Sequence, residues 1–122
     1  MELVFKVTPE GDKYTITALF EGLSVGVLTL QPYKYNKQEI VGDLISFLEG
    51  RGVARALIEY VPKTIQTLAD NRGETITHKV FLSWRVAQIK LTHIFDELDY
   101  KHHSVNPEHD DYYKMSRKFH PQ

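Results

Sequence analysis

Hydrophobic and polar positions alternate along the first half of the chain with a period of two, which places successive side chains on opposite faces of a strand. Leu3 to Thr8 is the first such run, and Pro9-Glu10-Gly11-Asp12 ends it as a turn. In the next run, Tyr14, Ile16, Ala18 and Phe20 alternate with Thr15, Thr17 and Leu19, so the two runs are predicted to form a hairpin. Glu21-Gly22 turns the chain into Val25 to Leu30. After a polar stretch containing Pro32 and Asn36 comes Glu39 to Leu48, rich in Ile, Val, Leu and Phe. Consecutive antiparallel strands are the economical reading of this half.

The period then changes. Val53, Leu57, Val61, Ile65 and Leu68, with Tyr60 beside them, are spaced by three and four, which predicts an amphipathic helix. Asn71-Arg72-Gly73 closes it, with Gly73 suited to the left-handed C-terminal position. Pro62 falls inside the run and is expected to kink or divide it, because proline lacks the backbone donor and crowds the preceding turn. Lys79 to Ser83 is short, apolar and β-prone. Arg85 to Leu98 predicts a second helix with Val86, Ile89, Ile94, Phe95 and Leu98 toward the core, and Tyr100 to Val105 and Asp111 to Phe119 predict a last hairpin around Asn106-Pro107-Glu108-His109-Asp110. The predicted order is ββββ-α-β-α-ββ. A strand joined to its neighbour through a helix needs a parallel crossover, so the fold class is α+β with a mixed, mostly antiparallel sheet flanked by two main helices.

Composition narrows the chemistry. The 122 residues, 42% hydrophobic and 25% charged, fit a single domain over residues 1–122. The chain has no cysteine, which removes thiol catalysis, zinc fingers and iron-sulfur ligation. A formal net charge of -1 gives no global field to attract nucleic acid or an anionic membrane, so neither is an expected partner. Met1 to Lys6 is not a basic region before a long apolar run, no segment is apolar enough to span a bilayer, and the expected location is cytoplasmic. His102 and His103 are followed by His109, Asp110 and Asp111. Adjacent histidines on a strand point to opposite faces, and no metal site is expected there. Trp84 is expected to be a packing anchor, and Tyr14, Tyr33, Tyr35 and Tyr60 core or rim residues. Asp96-Glu97-Leu98-Asp99 reads as a solvated acidic face.

The most informative segment is Ile45 to Leu57. A strand runs into Glu49-Gly50-Arg51-Gly52, which opens directly onto a long helix, so unpaired backbone N–H groups and the positive end of the helix dipole converge. Small residues at Gly50, Gly52 and Ala54 let an anion approach the main chain, and Arg51 and Arg55 add charge. The same glycines also suit a plain strand-to-helix turn.

The run Glu49-Gly50-Arg51-Gly52-Val53-Ala54, continuing through Arg55-Ala56-Leu57-Ile58-Glu59, resembles the central motif [RQ]-x-x-G-x-[GA] of the GNAT superfamily of acyl-coenzyme A dependent N-acyltransferases. Ile94-Phe95-Asp96-Glu97-Leu98-Asp99-Tyr100 resembles the family's Leu-Tyr-Glu-Lys-Leu-Gly-Phe segment, Tyr112 to Lys118 its C-terminal strand, and Val25-Gly26-Val27-Leu28 its early Val-Gly-Phe strand. The resemblance covers residues 23 to 119, in the order that periodicity alone predicts.

What the resemblance implies is transfer of an acetyl group from acetyl-coenzyme A to an unknown amine by direct attack. It makes Phe47 and Leu48 the strand that pairs with the pantetheine arm, and gives the pyrophosphate to the N–H groups of Gly50, Arg51, Gly52, Val53 and Ala54, with Arg55 adding charge. A strand N–H near Phe47 is assigned to the oxyanion. Gln88 stands where an Asn is common and can still bond the coenzyme through its amide. Glu49 replaces the usual Arg or Gln, setting a carboxylate beside the pyrophosphate. Phe95 replaces the tyrosine credited with protonating the thiolate, so Tyr100, Tyr112, Tyr113 or water takes that part. Glu39 and Asp43, on the strand leading into the turn, are the candidate bases. The gap from Pro9 to Lys13 is too short for the family's acceptor-side helices, which leaves the acceptor side open or completed by a second subunit in a homodimer. Glu49 and Phe95 favour an alternative, a catalytically inactive domain of this fold acting as a coenzyme A sensor or interaction module; a third reading is an unrelated α+β interaction domain whose glycine turn is only structural.

Overall fold

The structure is a computed structural model that describes residues 2–46 and 52–122. Strands β1 (Val4–Glu10), β2 (Lys13–Phe20), β3 (Leu23–Tyr33) and β4 (Asn36–Ser46) form an antiparallel meander. Helix α1 (Val53–Arg72) carries the chain across to β5 (Ile76–Ser83), which lies parallel to β4. Two short helices, α2 (Val86–Ile89) and α3 (Thr92–Glu97), precede β6 (Lys101–His102) and β7 (Tyr112–Phe119). The strands form a single 7-stranded sheet in the order β1-β2-β3-β4-β5-β7-β6, with β7 inserted between β5 and β6. The ββββ-α-β-α-ββ order and the mixed sheet therefore follow the sequence pattern.

Alternation decides which face is the core. Ile16 and Ala18 on β2, Leu28 and Leu30 on β3, and Ile76, His78, Val80 and Leu82 on β5 are buried, while the residues alternating with them stay partly exposed. The buried set packs against Val53, Leu57, Val61 and Ile65 of α1 and Ile94 and Phe95 of α3, so both helices cover this inner face. The turn between β1 and β2 is only Gly11-Asp12, with Gly11 at φ 62. No helix stands between the first two strands.

Three expectations change. Pro62 does not divide α1: the helix is continuous over 20 residues, because Ile58, Val61 and Ile65 on either side are sealed in the core and hold the backbone across one missing hydrogen bond. Gly73 does close it, at φ 65, with its N–H donating to the Ala69 carbonyl. The second long helix breaks in two. Its backbone bonds at Gln88→Arg85, Leu91→Gln88 and Ile94→Leu91 span three residues, a tighter winding that does not propagate. The strand expected over Tyr100 to Val105 shrinks to Lys101–His102, paired only with Ser116 and Met115.

Candidate functional site

The parallel ladder between β4 and β5 consists of Glu39 opposite Thr77 and Ile40 opposite His78, and stops there. β4 continues to Ser46 in register with β3, and β5 continues to Ser83 in register with β7, so the two strands part like a wedge in the middle of the sheet. Beyond the vertex, the backbone groups that β4 and β5 turn toward each other have no strand partner among the described residues. Strand edges in this condition bind an extended chain well, because each N–H and C=O is costly to leave unmade.

Two clefts meet at the wedge. On the inner face, a cleft of about 200 Å³ runs between Leu44, Val80 and Leu82, under Ile58 and Val61 of α1 and Leu91 and Phe95. On the outer face, a cleft of about 820 Å³ is lined by Tyr33, Phe81, Tyr112, Arg85 and Lys114 among others. Gly42, Asp43, Phe81 and Gln88 line both. Gly42 is a bare position by necessity. A Cβ there would lie 2.7 Å from the Thr29 carbonyl oxygen and 3.2 Å from Leu30 Cδ2. Gly42→Ala is therefore expected to cost about 1–3 kcal/mol, since strand backbone cannot step aside as a side chain can. Urea unfolding should show the lower midpoint with an unchanged slope, and an unchanged midpoint would mean that β3 and β4 relax freely.

The N-terminus of α1 carries Gly52 at φ 76, a left-handed conformation that opposes any residue with a Cβ. Among the described residues no side chain caps it, the first turn holds no acid, and the first ladder bond is Ala56 N–H to the Gly52 carbonyl at 3.0 Å. The N–H groups of Val53, Ala54 and Arg55 lie ahead of that ladder. Among the described residues nothing lies within 4 Å of the would-be Cβ of Gly52. Arg55 is placed in the first turn as expected, but its guanidinium is paired with Glu59 at 2.7 Å and with Glu97 of α3. Phe47, Leu48, Gly50 and Arg51, and with them Glu49, lie outside the described residues.

The candidate acids and bases separate clearly. Asp43 stands at the junction of the two clefts. Glu39 sits at the closed end of the wedge, in an ion pair with Lys79 at 2.8 Å. Gln88 lines both clefts, and its Oε1 accepts the N–H of Ser83 at 2.8 Å, which fixes the start of α2 against the end of β5. Tyr100 is brought to neither cleft. It is 4% exposed beneath α3, its hydroxyl is bonded to His78 Nδ1 at 2.6 Å, and burial raises its pKa. The Tyr113 hydroxyl is held by His102 Nδ1, whose Nε2 meets Asp96, and its ring packs edge-on against Trp84 at 5.8 Å. Tyr113 lines neither cleft. Of the tyrosines considered as proton donors, Tyr112 alone is on a cleft wall. Trp84 is 38% exposed, and its Nε1–H donates to the Asp110 carbonyl at 2.9 Å, so it anchors the loop before β7.

Sequence reasoning missed Gly42, His78 and Phe81. A glycine in mid-strand signals close backbone approach, and a histidine at the period-two position of Ile76, Val80 and Leu82 signals a buried imidazole. Phe81 left no local mark, since its exposure depends on the strands parting.

No family model matches the sequence, and no curated protein is similar to it. Solved structures are similar. The GNAT domain of S. lividans PAT superposes with a TM-score of 0.59 at 18% identity, over 88% of this chain and 61% of that one. The chain thus spans about three fifths of that domain's length. A Bacillus subtilis acetyltransferase in complex with CoA gives 0.66 at 11% identity, over 94% and 97% of the two chains. The IAA acetyltransferase from Bacillus cereus gives 0.70 at 11% identity, over 97% and 100%. The fold is that of the GNAT acetyltransferases. Among the described residues no helix is long and apolar enough to cross a membrane.

Proposed function

We propose that the chain is an N-acetyltransferase that takes its acyl group from acetyl-coenzyme A and passes it directly to an amine. The observation that carries this reading is the wedge between β4 and β5, whose unpaired edges lead toward the N-terminus of α1, whose first turn holds no acid and which no described side chain caps. The donor set fits the coenzyme. Bare strand edges match the amides of a pantetheine arm, and the N–H groups of Val53 and Ala54 with the open approach at Gly52 match a pyrophosphate. A solved structure of the same fold is in complex with CoA, which supports binding of a coenzyme A group. The segment from Phe47 to Arg51 would complete the cradle.

The bound coenzyme supplies an activated thioester carbonyl. Asp43, at the junction of the clefts, takes a proton from the acceptor nitrogen as that nitrogen bonds to the carbonyl carbon. The carbon–sulfur bond breaks as the carbon–nitrogen bond forms, and the thiolate, a good leaving group, takes its proton from water or from Tyr112. Gln88 holds the cleft wall through Ser83. Glu39, neutralised by Lys79, and Tyr100, spent on His78, take no part.

A second reading is favoured by one observation: Phe95, at the position of the family's acid, is buried in the core and offers no proton. That reading is a coenzyme A binding domain without transfer. Two measurements separate them. Acetyl-coenzyme A at a hundred times its Kd should stabilise the protein by about 2.7 kcal/mol, seen as a rise in Tm. Gly52→Val should abolish the rise while still unfolding cooperatively, at a Tm lowered by left-handed strain of about 1–2 kcal/mol. No rise at millimolar ligand sinks both readings. Amine-dependent release of free thiol then decides for transfer, and its absence decides for binding alone.

A further inference from the structure

Four aromatic rings follow one another across the outer face of the sheet. Tyr35 meets Tyr33 edge-on at 5.2 Å, Tyr33 meets Phe81 at 5.8 Å, and Phe81 meets Tyr112 at 6.1 Å. They come from β3 and its turn, from β5 and from β7, so the row bridges the wedge. Three of them, Tyr33, Phe81 and Tyr112, line the outer cleft, and Phe81 also lines the inner one, beside Asp43. Rings at this spacing leave faces and edges on which a further planar group stacks.

The charges on the same wall argue against a polycation. The acids are Asp43, Asp110 and Asp111, and the cations Arg85 and Lys114. Asp110 is engaged within its own loop, where its Oδ2 accepts the N–H of Asn106 at 2.8 Å. Even with Asp110 counted, three carboxylates against two cations leave a single excess negative charge, too weak a field to draw in a chain of several ammonium groups. The ring row is meanwhile an apolar surface that such a chain would waste. Lys79 already covers the Tyr33 ring at 5.3 Å from its centroid and Tyr35 lies outside the cleft lining, so within the outer cleft the uncovered rings are Phe81 and Tyr112.

Resting on the transferase reading, we infer that the acceptor is an amine carried on a planar, aromatic body. The body stacks on Phe81 and Tyr112, and the short arm bearing the nitrogen reaches Asp43 at the junction of the clefts. Direct transfer is unchanged: nitrogen gains the acyl carbon, sulfur leaves with the bonding pair, and the proton passes to Asp43.

The test uses the intact chain saturated with coenzyme A, which lacks an acyl group and so permits binding without turnover. Phenethylamine should raise Tm beyond the coenzyme's own shift, and butylamine and 1,4-diaminobutane at the same concentration should not, reflecting an affinity difference on the order of tenfold. Tyr112→Ala removes an exposed ring and should erase the phenethylamine increment while preserving the coenzyme shift. Phe81→Leu keeps the apolar volume and should weaken the increment to the butylamine level. Equal increments from aromatic and aliphatic amines, a preference for the diamine, or no increment from phenethylamine overturns the inference. If the coenzyme shift itself is missing, the transferase reading fails instead, so the two failures are distinguishable.

Discussion

Asp43→Asn should lower kcat by about 10²–10⁴ at neutral pH and leave the coenzyme-induced rise in Tm intact. A primary amine attacks in its neutral form, the minor form near neutrality, and its nitrogen must shed a further proton as it bonds to the carbonyl carbon. On the proposed reading the base must therefore reach the nitrogen where the two clefts meet, and Asp43 lines both. Asparagine keeps the shape and hydrogen-bonding reach of the side chain but cannot accept a proton at neutral pH. The loss should fall on kcat rather than on coenzyme binding. Raising the pH should recover part of it, because the free amine fraction then grows without a base.

Glu39→Gln is the matched comparison. Both carboxylates lie on β4 at positions of the same parity, but Glu39 belongs to the last bridged rungs of the ladder and is already paired with Lys79 at 2.8 Å. Its amide should retain activity within a few fold. If Asp43→Asn stays within about threefold of the parent, or if Glu39→Gln is the more damaging of the two, the base is misassigned.

That comparison also shows what could be read from the sequence. The order of strands and helices was legible, since period two and period 3.6 are local properties and a helix between two strands requires a crossover. The turn onto α1 was legible for the same reason, because Gly52 precedes a helical run and takes the left-handed φ of 76 that glycine permits. The wedge was not. Nothing in the spacing of β4 or β5 says that pairing ends at Ile40 and His78; that is a tertiary outcome. So Glu39 and Asp43 were indistinguishable in sequence and differ entirely in surroundings. Tyr100 and Tyr113 are candidates by their places in the chain, but side-chain direction is not legible there: one hydroxyl turns under α3 to His78 and the other to His102. The broken second helix and the intact first one were set by the core, which overrides local propensity in both directions.

The same vertex that opens the wedge makes the fold acid-labile. His78 is 5% exposed, with Phe95 and Tyr100 edge-on to its ring at centroid distances of 6.5 and 5.4 Å. Burial pushes its pKa from 6.5 down to about 3, so the folded protein holds the imidazole neutral. The unfolded chain binds that proton below about pH 6.5. Between about pH 6.5 and 3 the unfolded state therefore carries more protons than the folded one, and stability falls as pH falls. By pH 5 the loss from this group is about 2 kcal/mol, at 1.36 kcal/mol per unit of pH. A domain of this size should show it as a Tm lower by on the order of 10 °C than at pH 7. Replacing His78 alone would orphan the Tyr100 hydroxyl, costing about 1–3 kcal/mol at every pH. The informative variant is therefore His78→Leu combined with Tyr100→Phe, which removes both polar groups from the core. Its Tm should fall less between pH 7 and 5 than that of the parent, by an amount equivalent to about 2 kcal/mol. Parallel curves for parent and double variant would show that His78 is not the group whose protonation opens the sheet.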